Sequence, residues 1–223
     1  MHNIEVASYL FYRRTLTQRF KRPAKGDDYM AKLTFITGEM GCGKTAHLIQ
    51  SVADAKKDGK NVVVMKSATD TKNGHNLLSR NGLECDVDYL LASDDDLYEL
   101  AAEAYANAEV IFIDEAQFLQ SGQIDQALKI TALLNIDVVA YGLRLNFNIG
   151  DENFAGATRL SQIAHEVKII DSKCDICGKN QAIFSVLFAG NRVVGNAPTI
   201  LISDGTREVN AKAVCAKCYY ESL

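Results

Sequence analysis

The feature that most constrains this chain is a short segment near its beginning, "LTFITGEMGCGKT" at residues 33–45. Its first residues are apolar and have strand character, and they run into a loop that contains three glycines, Gly38, Gly41 and Gly43. Glycine lets the loop backbone wrap an anion with its N–H groups, while a helix that starts near Thr45 points its positive end at the same charge. The segment therefore predicts a strand, a phosphate-binding loop and a helix. A glycine-rich turn that matches by chance is the alternative.

Two side chains at the end of this segment indicate which phosphates are bound. In the Gly-x-x-x-x-Gly-Lys-Thr pattern, Lys44 reaches the β- and γ-phosphates of a nucleoside triphosphate and the Thr45 hydroxyl ligates magnesium. The predicted cofactors are therefore ATP and Mg²⁺. The pattern does not say whether the phosphoryl group moves to a second molecule or whether ATP is hydrolysed to change shape.

Strand and helix patterns alternate beyond the loop. Helical character over residues 45–57 is followed by a buried strand at 61–66, the run "EVIFIDEAQFL" from Glu109, a helix over about 123–134 and the strand "IDVVAYG" from Ile136. This order predicts an α/β fold of the RecA-like P-loop type, with a parallel sheet flanked by helices and a site at the carboxyl ends of the strands. Ser93 is predicted to cap a further helix whose first turn holds three aspartates, Asp94, Asp95 and Asp96.

A second chemical signal lies at the end of the strand Val110–Ile113. Its apolar residues are typical of the centre of a parallel sheet, and Asp114 follows at the carboxyl end, where a carboxylate can hold Mg²⁺. Glu115 comes next, and because neighbouring strand residues point to opposite sides, the two carboxylates can serve different partners. Glu115 is the candidate catalytic residue, activating water in an ATPase or accepting the proton of a substrate hydroxyl in a kinase. Two solvated charges at a strand end are the alternative interpretation.

Four of the six cysteines form two Cys-x-x-Cys pairs near the C-terminus, Cys174 with Cys177 and Cys215 with Cys218. Two such pairs can complete a tetrahedral site for a structural Zn²⁺, and no further donor is evident in the pattern. Unligated thiols or a redox dithiol remain the alternative. Because the sequence shows no recognisable signal peptide, this cysteine usage favours a reducing cytoplasm and a metal over disulfides.

Composition sets the outer limits of the fold and of the partners. A chain of 223 residues with 48% hydrophobic and 23% charged residues can hold one sizeable core and a smaller module. We divide it into a basic N-terminal extension at 1–29, a P-loop domain at 30–171 and a zinc-binding module at 172–223. The net charge of -4 gives no reason to expect nucleic acid as a partner, and no apolar run is long enough to span a membrane. The extension is expected to be flexible and dispensable for catalysis, with an amphipathic transit peptide as the alternative.

The order of these parts resembles the type II thymidine kinases of bacteria, large DNA viruses, phages and animal cytosol. The resemblance rests on the P-loop, "DEAQFL" from Asp114, "YGLRLNF" from Tyr141, "SRNGL" at 79–83, "NFAGATRLSQIAHEV" at 153–167 and the four-cysteine module. It implies an ATP-dependent kinase that phosphorylates the 5′-hydroxyl of thymidine or deoxyuridine in pyrimidine salvage for DNA synthesis. It also implies a homotetramer in the cytoplasm, or in the host cytoplasm for a chain of phage or viral origin.

The resemblance also assigns roles to matched residues. Glu115 would be the base on the nucleoside hydroxyl. Lys44, together with Mg²⁺ at Thr45 and Asp114, would neutralise the moving phosphoryl group. The substrate would contact five residues, Met40, Gln117, Phe118, Leu143 and Phe147. The two phenylalanines suit this role because a flat apolar ring stacks on a pyrimidine.

The chain departs from the family in several places. Asp70 and Lys72 fall where the family has an Asp-x-Arg pair near the phosphates, and lysine keeps the charge but loses the bidentate fork. The family closes its nucleoside pocket with a lid loop from the zinc module, in which a tyrosine stands four residues before the third cysteine. Here Ala211 takes that place, the usual Gly-Gly is reduced to Gly205, and Leu187 replaces a common arginine. The phosphate half is therefore predicted to be intact, while the altered lid bears on which nucleoside is accepted.

Other functions stay open on the residues alone. A P-loop ATPase, or a kinase of another small substrate, would use the zinc module as an interaction surface. A regulatory protein would bind nucleotide without turnover, which the retained phosphate-site residues argue against.

Because the P-loop holds the phosphates and the zinc ligands anchor the lid, we expect the two halves to act separately. Loss of a zinc ligand should then impair nucleoside binding far more than ATP binding.

Overall fold

The computed structural model describes residues 29–71, 74–147, 152–190, 192–194 and 209–223. In chain order the strands are β1 (Leu33–Thr37), β2 (Val62–Ser67), β3 (Asn76–Leu78), β4 (Glu84–Asp86), β5 (Tyr89–Leu91), β6 (Val110–Asp114), β7 (Asp137–Gly142), β8 (Glu166–Ile169), β9 (Phe184–Ala189), β10 (Arg192–Val193) and β11 (Val209–Val214). The helices are α1 (Lys44–Lys57), α2 (Leu97–Glu103), α3 (Ser121–Leu134), α4 (Ala155–Ile163) and α5 (Ala216–Glu221), and a 3₁₀ turn covers Ala116–Phe118.

Six parallel strands form the central sheet, in the spatial order β5-β2-β6-β7-β1-β8. Every residue of β6 is buried, as a strand covered on both faces requires, whereas the edge strand β8 is largely exposed. The predicted parallel α/β fold of the P-loop class is therefore confirmed. Because all six strands run the same way, the carboxyl ends of β1, β2 and β6 meet at one edge, where Lys66 of β2 pairs in register with Asp114 of β6.

Helices cover the faces of this sheet. α1 follows directly from the glycine-rich loop and buries Leu48, Ile49 and Val52 in a core cluster that also contains Val64 and Tyr141. These three positions share one face of the helix, so the pattern that predicted a helix also fixes its orientation. α3 packs against β7 and, like α1, buries an apolar face. α4 contacts α3 and the 3₁₀ turn.

The predicted Ser93 cap is wrong. α2 begins at Leu97, and the carboxylate of Asp96 caps it by accepting the Glu99 N–H at 2.9 Å. The Asp95 carboxylate turns back to accept the Ala92 N–H at 2.8 Å, which makes residues 92–95 a turn before the helix. Consecutive aspartates offer several caps, and the tertiary position of the turn decides between them.

A smaller antiparallel sheet of β10, β9 and β11 carries the four-cysteine cluster. Its buried core combines apolar residues of β9 and β11 with the cysteines and Tyr219. Residues Ala31–Leu223 form one compact unit, and the proposed boundary at residues 171–172 stays a prediction. None of the helices in the described part of the chain has the length and apolar character needed to cross a membrane. Most of the extension at 1–29, together with Lys72 and Gly205, lies outside the described residues.

Candidate active site

The glycine-rich loop joins β1 to α1 and holds a lysine over its own backbone. α1 starts at Lys44, and the Lys44 ammonium donates to the carbonyl oxygens of Gly38 at 2.8 Å and Glu39 at 3.0 Å. The loop turns through Gly41 and Gly43, whose φ angles of 82° and 94° are readily adopted only by glycine. The first turn of a helix and a lysine therefore face the same point, an arrangement that binds phosphate.

The carboxylate of Asp114 ends β6 and is 5% exposed. Burial raises the pKa of this carboxyl to about 7, and the charge of the neighbouring Glu115 adds to the rise. Two ammonium groups, those of Lys44 and Lys66, act in the opposite direction. A buried carboxylate that lines the same cavity as Thr45 is a suitable oxygen donor for a hard cation, since a bound cation offsets the cost of its charge.

Glu115 follows β6 in a left-handed backbone conformation, with φ at 52° and ψ at 37°. This conformation is uncommon for a residue other than glycine and turns the chain sharply into the 3₁₀ turn. The Gln117 amide N–H₂ donates to Oε2 of Glu115, and the Gln117 amide oxygen accepts the backbone N–H of Leu143 at 3.1 Å. The Glu115 carboxylate is thereby held at a fixed orientation.

Close packing around Gln117 explains why its amide cannot turn away. Gln117 is 2% exposed, and a Cβ atom on Gly142 would lie 2.5 Å from its amide oxygen. The resemblance implied that Gln117 contacts the substrate, and that role stays a prediction. In this structure its side chain contacts Glu115 instead.

Lys44, Asp114 and Glu115 line one cavity of about 460 Å³, a volume within the usual range for small-ligand sites. It brings together nine of the predicted residues, Met40, Gly41, Gly43, Lys44, Thr45, Asp70, Asp114, Glu115 and Leu143. Phe118 is half-buried and packs edge-on against Phe154 with ring centroids 5.4 Å apart, and Phe147 is buried. Those two phenylalanines are not among the described residues that line the cavity.

Two cationic residues of the cavity were missed by the sequence interpretation. Lys66 of β2 is 2% exposed and forms an ion pair with Asp70 at 3.0 Å. Arg80 lies in the turn between β3 and β4 and also lines the cavity. Arg80 belongs to the "SRNGL" segment used for the resemblance, so a signal was present but carried no role.

The four predicted metal ligands, Cys174, Cys177, Cys215 and Cys218, form one cluster whose sulfur atoms all lie within 4.8 Å of one another. A tetrahedral Zn²⁺ with bonds of about 2.3 Å places its sulfurs about 3.8 Å apart, so the donors fit this metal. Backbone N–H groups of Asn180 and Lys179 lower the pKa of Cys177 to about 6, whereas burial and the neighbouring Cys215 sulfur raise that of Cys218 to about 12. A cation bound at the centre of the four thiols would stabilise them as thiolates and so relieve their crowding.

The two sheets meet at the phosphate loop through a buried hydrogen-bond chain. The Ser185 hydroxyl of β9 donates to Oε2 of Glu39 at 2.6 Å and accepts the Met40 N–H at 2.7 Å. Ser185 is 1% exposed and Glu39 is 8% exposed. The phosphate loop is therefore hydrogen-bonded directly to a strand of the zinc module, and the expectation that the two halves act separately stays a prediction.

The fold and the cavity define a P-loop nucleotide-binding protein of the α/β class. The family model described as "Thymidine kinase" matches residues 31–220. A thymidine kinase of Enterobacteria phage T4 is 33% identical over 78% of this chain and 90% of its own length, and one of Encephalitozoon cuniculi is 31% identical over 85% of this chain and 87% of its own. The chain belongs to the thymidine kinase family. Among solved structures, the Pif1 helicase from Candida albicans aligns with 71% of this chain and 38% of that chain, at 16% identity and a TM-score of 0.40.

Proposed function

We propose that this chain transfers the γ-phosphoryl group of ATP to the 5′-hydroxyl of thymidine, and also to that of deoxyuridine. The observation that carries the proposal is the meeting of four side chains in one cavity, Lys44, Thr45, Asp114 and Glu115. Membership of the thymidine kinase family supports the choice of nucleoside. The apolar side chains of Met40 and Leu143 line the same cavity, which provides a surface for a base beside the phosphate site.

Glu115 is the proposed general base. During transfer the nucleoside 5′-oxygen forms a bond to the γ-phosphorus while the bond from that phosphorus to the β,γ-bridging oxygen breaks. The electron pair of the broken bond leaves on ADP, and the hydroxyl proton passes to the Glu115 carboxylate. Gln117 holds that carboxylate in place, so the base does not have to be ordered during the reaction.

Lys44 and the loop N–H groups are proposed to hold the β- and γ-phosphates. Thr45 and Asp114 would hold Mg²⁺, which would offset the negative charge that develops on the phosphates. On binding, the Lys44 ammonium would exchange its two loop carbonyls for phosphate oxygens, which are stronger acceptors. Little covalent chemistry remains for the protein, so its contribution is positioning and charge stabilisation.

The zinc module is proposed to close the nucleoside side of the site. Zn²⁺ on the four cysteines would fix β9 and β11 relative to each other. Two of the departures from the family, Leu187 and Ala211, are direct partners across these strands, so the positions of the missing arginine and tyrosine are adjacent. We therefore expect weaker discrimination between thymidine and deoxyuridine than the family shows.

Two further proposals rest on the resemblance alone. The first is that the nucleoside base contacts Gln117, Phe118 and Phe147, and the second is that the chain forms a homotetramer in the cytoplasm.

The test is a product analysis with γ-labelled ATP and a panel of deoxynucleosides. We expect label in thymidine monophosphate and deoxyuridine monophosphate, and little label in free phosphate. Label that appears as free phosphate regardless of the nucleoside would favour an ATPase instead. Absence of turnover with every pyrimidine deoxynucleoside would contradict the proposal.

A further inference from the structure

A buried serine fixes the turn that follows β3. The Ser79 N–H donates to the Leu83 carbonyl at 2.9 Å, and the Ser79 hydroxyl accepts the Leu83 N–H at 2.9 Å. The Gly82 N–H donates to the Ser79 carbonyl at 3.0 Å, which adds a further hydrogen bond within the turn. Ser79 is 6% exposed, so these bonds are shielded from water. Arg80 therefore projects from a turn whose base is fixed.

The Arg80 guanidinium lies against the backbone of the phosphate loop. A Cβ atom built on Gly41 would lie 2.8 Å from Nη1 of Arg80 and 3.5 Å from its Cζ. Any residue larger than glycine at position 41 would therefore have to displace the guanidinium. Arg80 also lines the cavity that contains Lys44 and Glu115, so it faces the reacting side of the loop.

The charges of the cavity single out this arginine. Its cations are Lys44, Lys66 and Arg80, and its acids are Asp70, Asp114 and Glu115. Lys66 is already paired with Asp70 at 3.0 Å. Among the residues that the structure describes, no carboxylate forms an ion pair with Arg80. Its side chain is exposed, so a polyphosphate that enters the cavity from solvent can reach it.

We propose that Arg80 is a catalytic residue that binds oxygens of the β- and γ-phosphates of ATP. The inference rests on the proposed kinase function and names a residue for its phosphate side. As the γ-phosphorus exchanges its bridging oxygen for the nucleoside oxygen, Arg80 keeps its proton and offsets the charge that builds on the non-bridging oxygens. A planar guanidinium can bind two oxygens at once, which a lysine ammonium cannot do with the same geometry.

A purely structural role for Arg80 would be to brace the loop at Gly41. Bracing predicts a loss of thermal stability when the side chain is removed and no response to added guanidinium. A phosphate contact predicts a loss of turnover at constant stability and partial repair by a free guanidinium ion. The two roles can therefore be separated by experiment.

The experiment compares Arg80→Ala and Arg80→Lys with the parent full-length chain. Arg159→Ala is the matched control, because Arg159 is paired with Asp125 at 2.7 Å and does not line the cavity. We expect Arg80→Ala to lower kcat on the order of 100-fold or more, with a smaller change in the Michaelis constant for thymidine. Arg80→Lys should keep an intermediate rate, and millimolar guanidinium should restore part of the Arg80→Ala turnover. Arg159→Ala should behave as the parent.

A binding assay separates this inference from the proposed function. Arg80→Ala should weaken binding of a non-hydrolysable ATP analogue about tenfold or more and leave AMP binding unchanged, because AMP lacks the β- and γ-phosphates. If the parent phosphorylates no nucleoside but this difference persists, the kinase proposal fails and the phosphate contact stands. An Arg80→Ala variant within about threefold of the parent in both turnover and analogue binding would overturn the inference.

Discussion

The half of the cavity that faces the phosphates and the half expected to face the nucleoside differ in how the chain builds them. The phosphate half uses one contiguous loop, residues 38–45 after β1, and two consecutive residues, Asp114 and Glu115, at the carboxyl end of β6 in the same parallel sheet. The nucleoside half takes Met40 from that loop, Leu143 from the end of β7 and support from β9 of the second sheet. The first half depends on backbone geometry, and the second depends on how distant segments pack.

This difference does not make the halves independent. Met40 belongs to both, and its N–H is held by Ser185 of the zinc module at 2.7 Å. The strand partner of Ser185 is Ala213, two residues before the metal ligand Cys215. A path of three short steps therefore leads from the cysteine cluster to the phosphate loop.

The largest effect is expected from loss of the metal. Structural Zn²⁺ contributes on the order of 10 kcal/mol or more to ordering its ligands, so Cys215→Ser should release zinc and lower the unfolding temperature of the chain. Because β9 and β11 also hold Ser185, the Michaelis constants for thymidine and for ATP should both rise. Elemental analysis and steady-state kinetics measure the two effects. Cys85→Ser, at a cysteine outside the cluster, is the control. A rise confined to thymidine would mean that the halves act separately after all.

The next effect concerns chemistry within the phosphate half. Glu115→Gln should lower kcat by roughly a hundred- to ten-thousand-fold, the usual range for a general base, because the amide cannot accept the hydroxyl proton. ATP affinity should stay within a few-fold of the parent, since Lys44 and the loop are unchanged. Rapid-quench turnover and nucleotide titration give both quantities. The exposed Glu103→Gln serves as the matched control. Retention of more than about a tenth of the parent turnover would remove Glu115 from this role.

A third change sets activity against stability. The folded pKa of Asp114 is about 7, above its ordinary value of 3.8, so the folded state holds a proton that the unfolded state releases. Stability therefore falls as pH rises between these two values and levels off above them. Asp114→Asn has no carboxyl proton to lose, so it should raise the free energy of unfolding of the metal-free protein, by about a few kcal/mol at most and chiefly near pH 7 and above. The same variant should lose Mg²⁺-dependent turnover.

Thermal melts in EDTA across this pH range, with Asp86→Asn as the exposed-carboxylate control, measure the effect. A destabilised Asp114→Asn variant would show that the Asp114 carboxylate is needed for folding as well as for cation binding.

A smaller effect is expected at the junction itself. Ser185→Ala leaves the Glu39 carboxylate and the Met40 N–H without their partner, which typically costs about 1–3 kcal/mol. Its effects on stability should not add to those of Glu39→Ala, because both changes remove the hydrogen bond between the Ser185 hydroxyl and the Glu39 carboxylate. Ser161→Ala, which removes a hydroxyl that donates to the Ala157 carbonyl within α4, is the control. Full additivity in the double variant would argue against a coupled junction.

The parts that could be predicted from the sequence are those in which local chemistry decides the structure. The apolar run before Asp114 has to be a central strand, and the spacing of the four cysteines suffices for a cluster. Arg80 could not be assigned, because its contact with Gly41 depends on where the turn after β3 lies on the loop. The hydrogen bond between Glu39 and Ser185 joins residues 146 positions apart, and the local sequence around neither residue indicates it.

Buried charge also misled the sequence interpretation. Lys66 lies within a strand of apolar residues, where a lysine suggests a strand end instead of a site. Its burial is possible because Asp70, four residues later, pairs with it at 3.0 Å once the chain turns at the end of β2. Positions of this kind become visible only when the sheet edge is assembled, and they lie on the functional side of the molecule.

The smallest effect is expected at the opposite end of the same sheet. Glu166 begins β8 and pairs with Lys32, just before β1, at 2.8 Å, and hydrogen bonds from Lys32 and Lys168 lower the pKa of Glu166 to about 2. A lowered carboxylate pKa contributes stability above the unfolded value of 4.5, and this contribution is lost as pH falls towards 2. Lys32 is exposed and Glu166 is partly exposed, so solvent screens the pair and Glu166→Gln should barely shift the melting temperature at pH 7. Kinetic constants for both substrates should match those of the parent, since the amino ends of the strands lie away from the cavity. A clear change in either Michaelis constant would show that the amino end of the sheet, and not only the junction at Ser185, is coupled to the site.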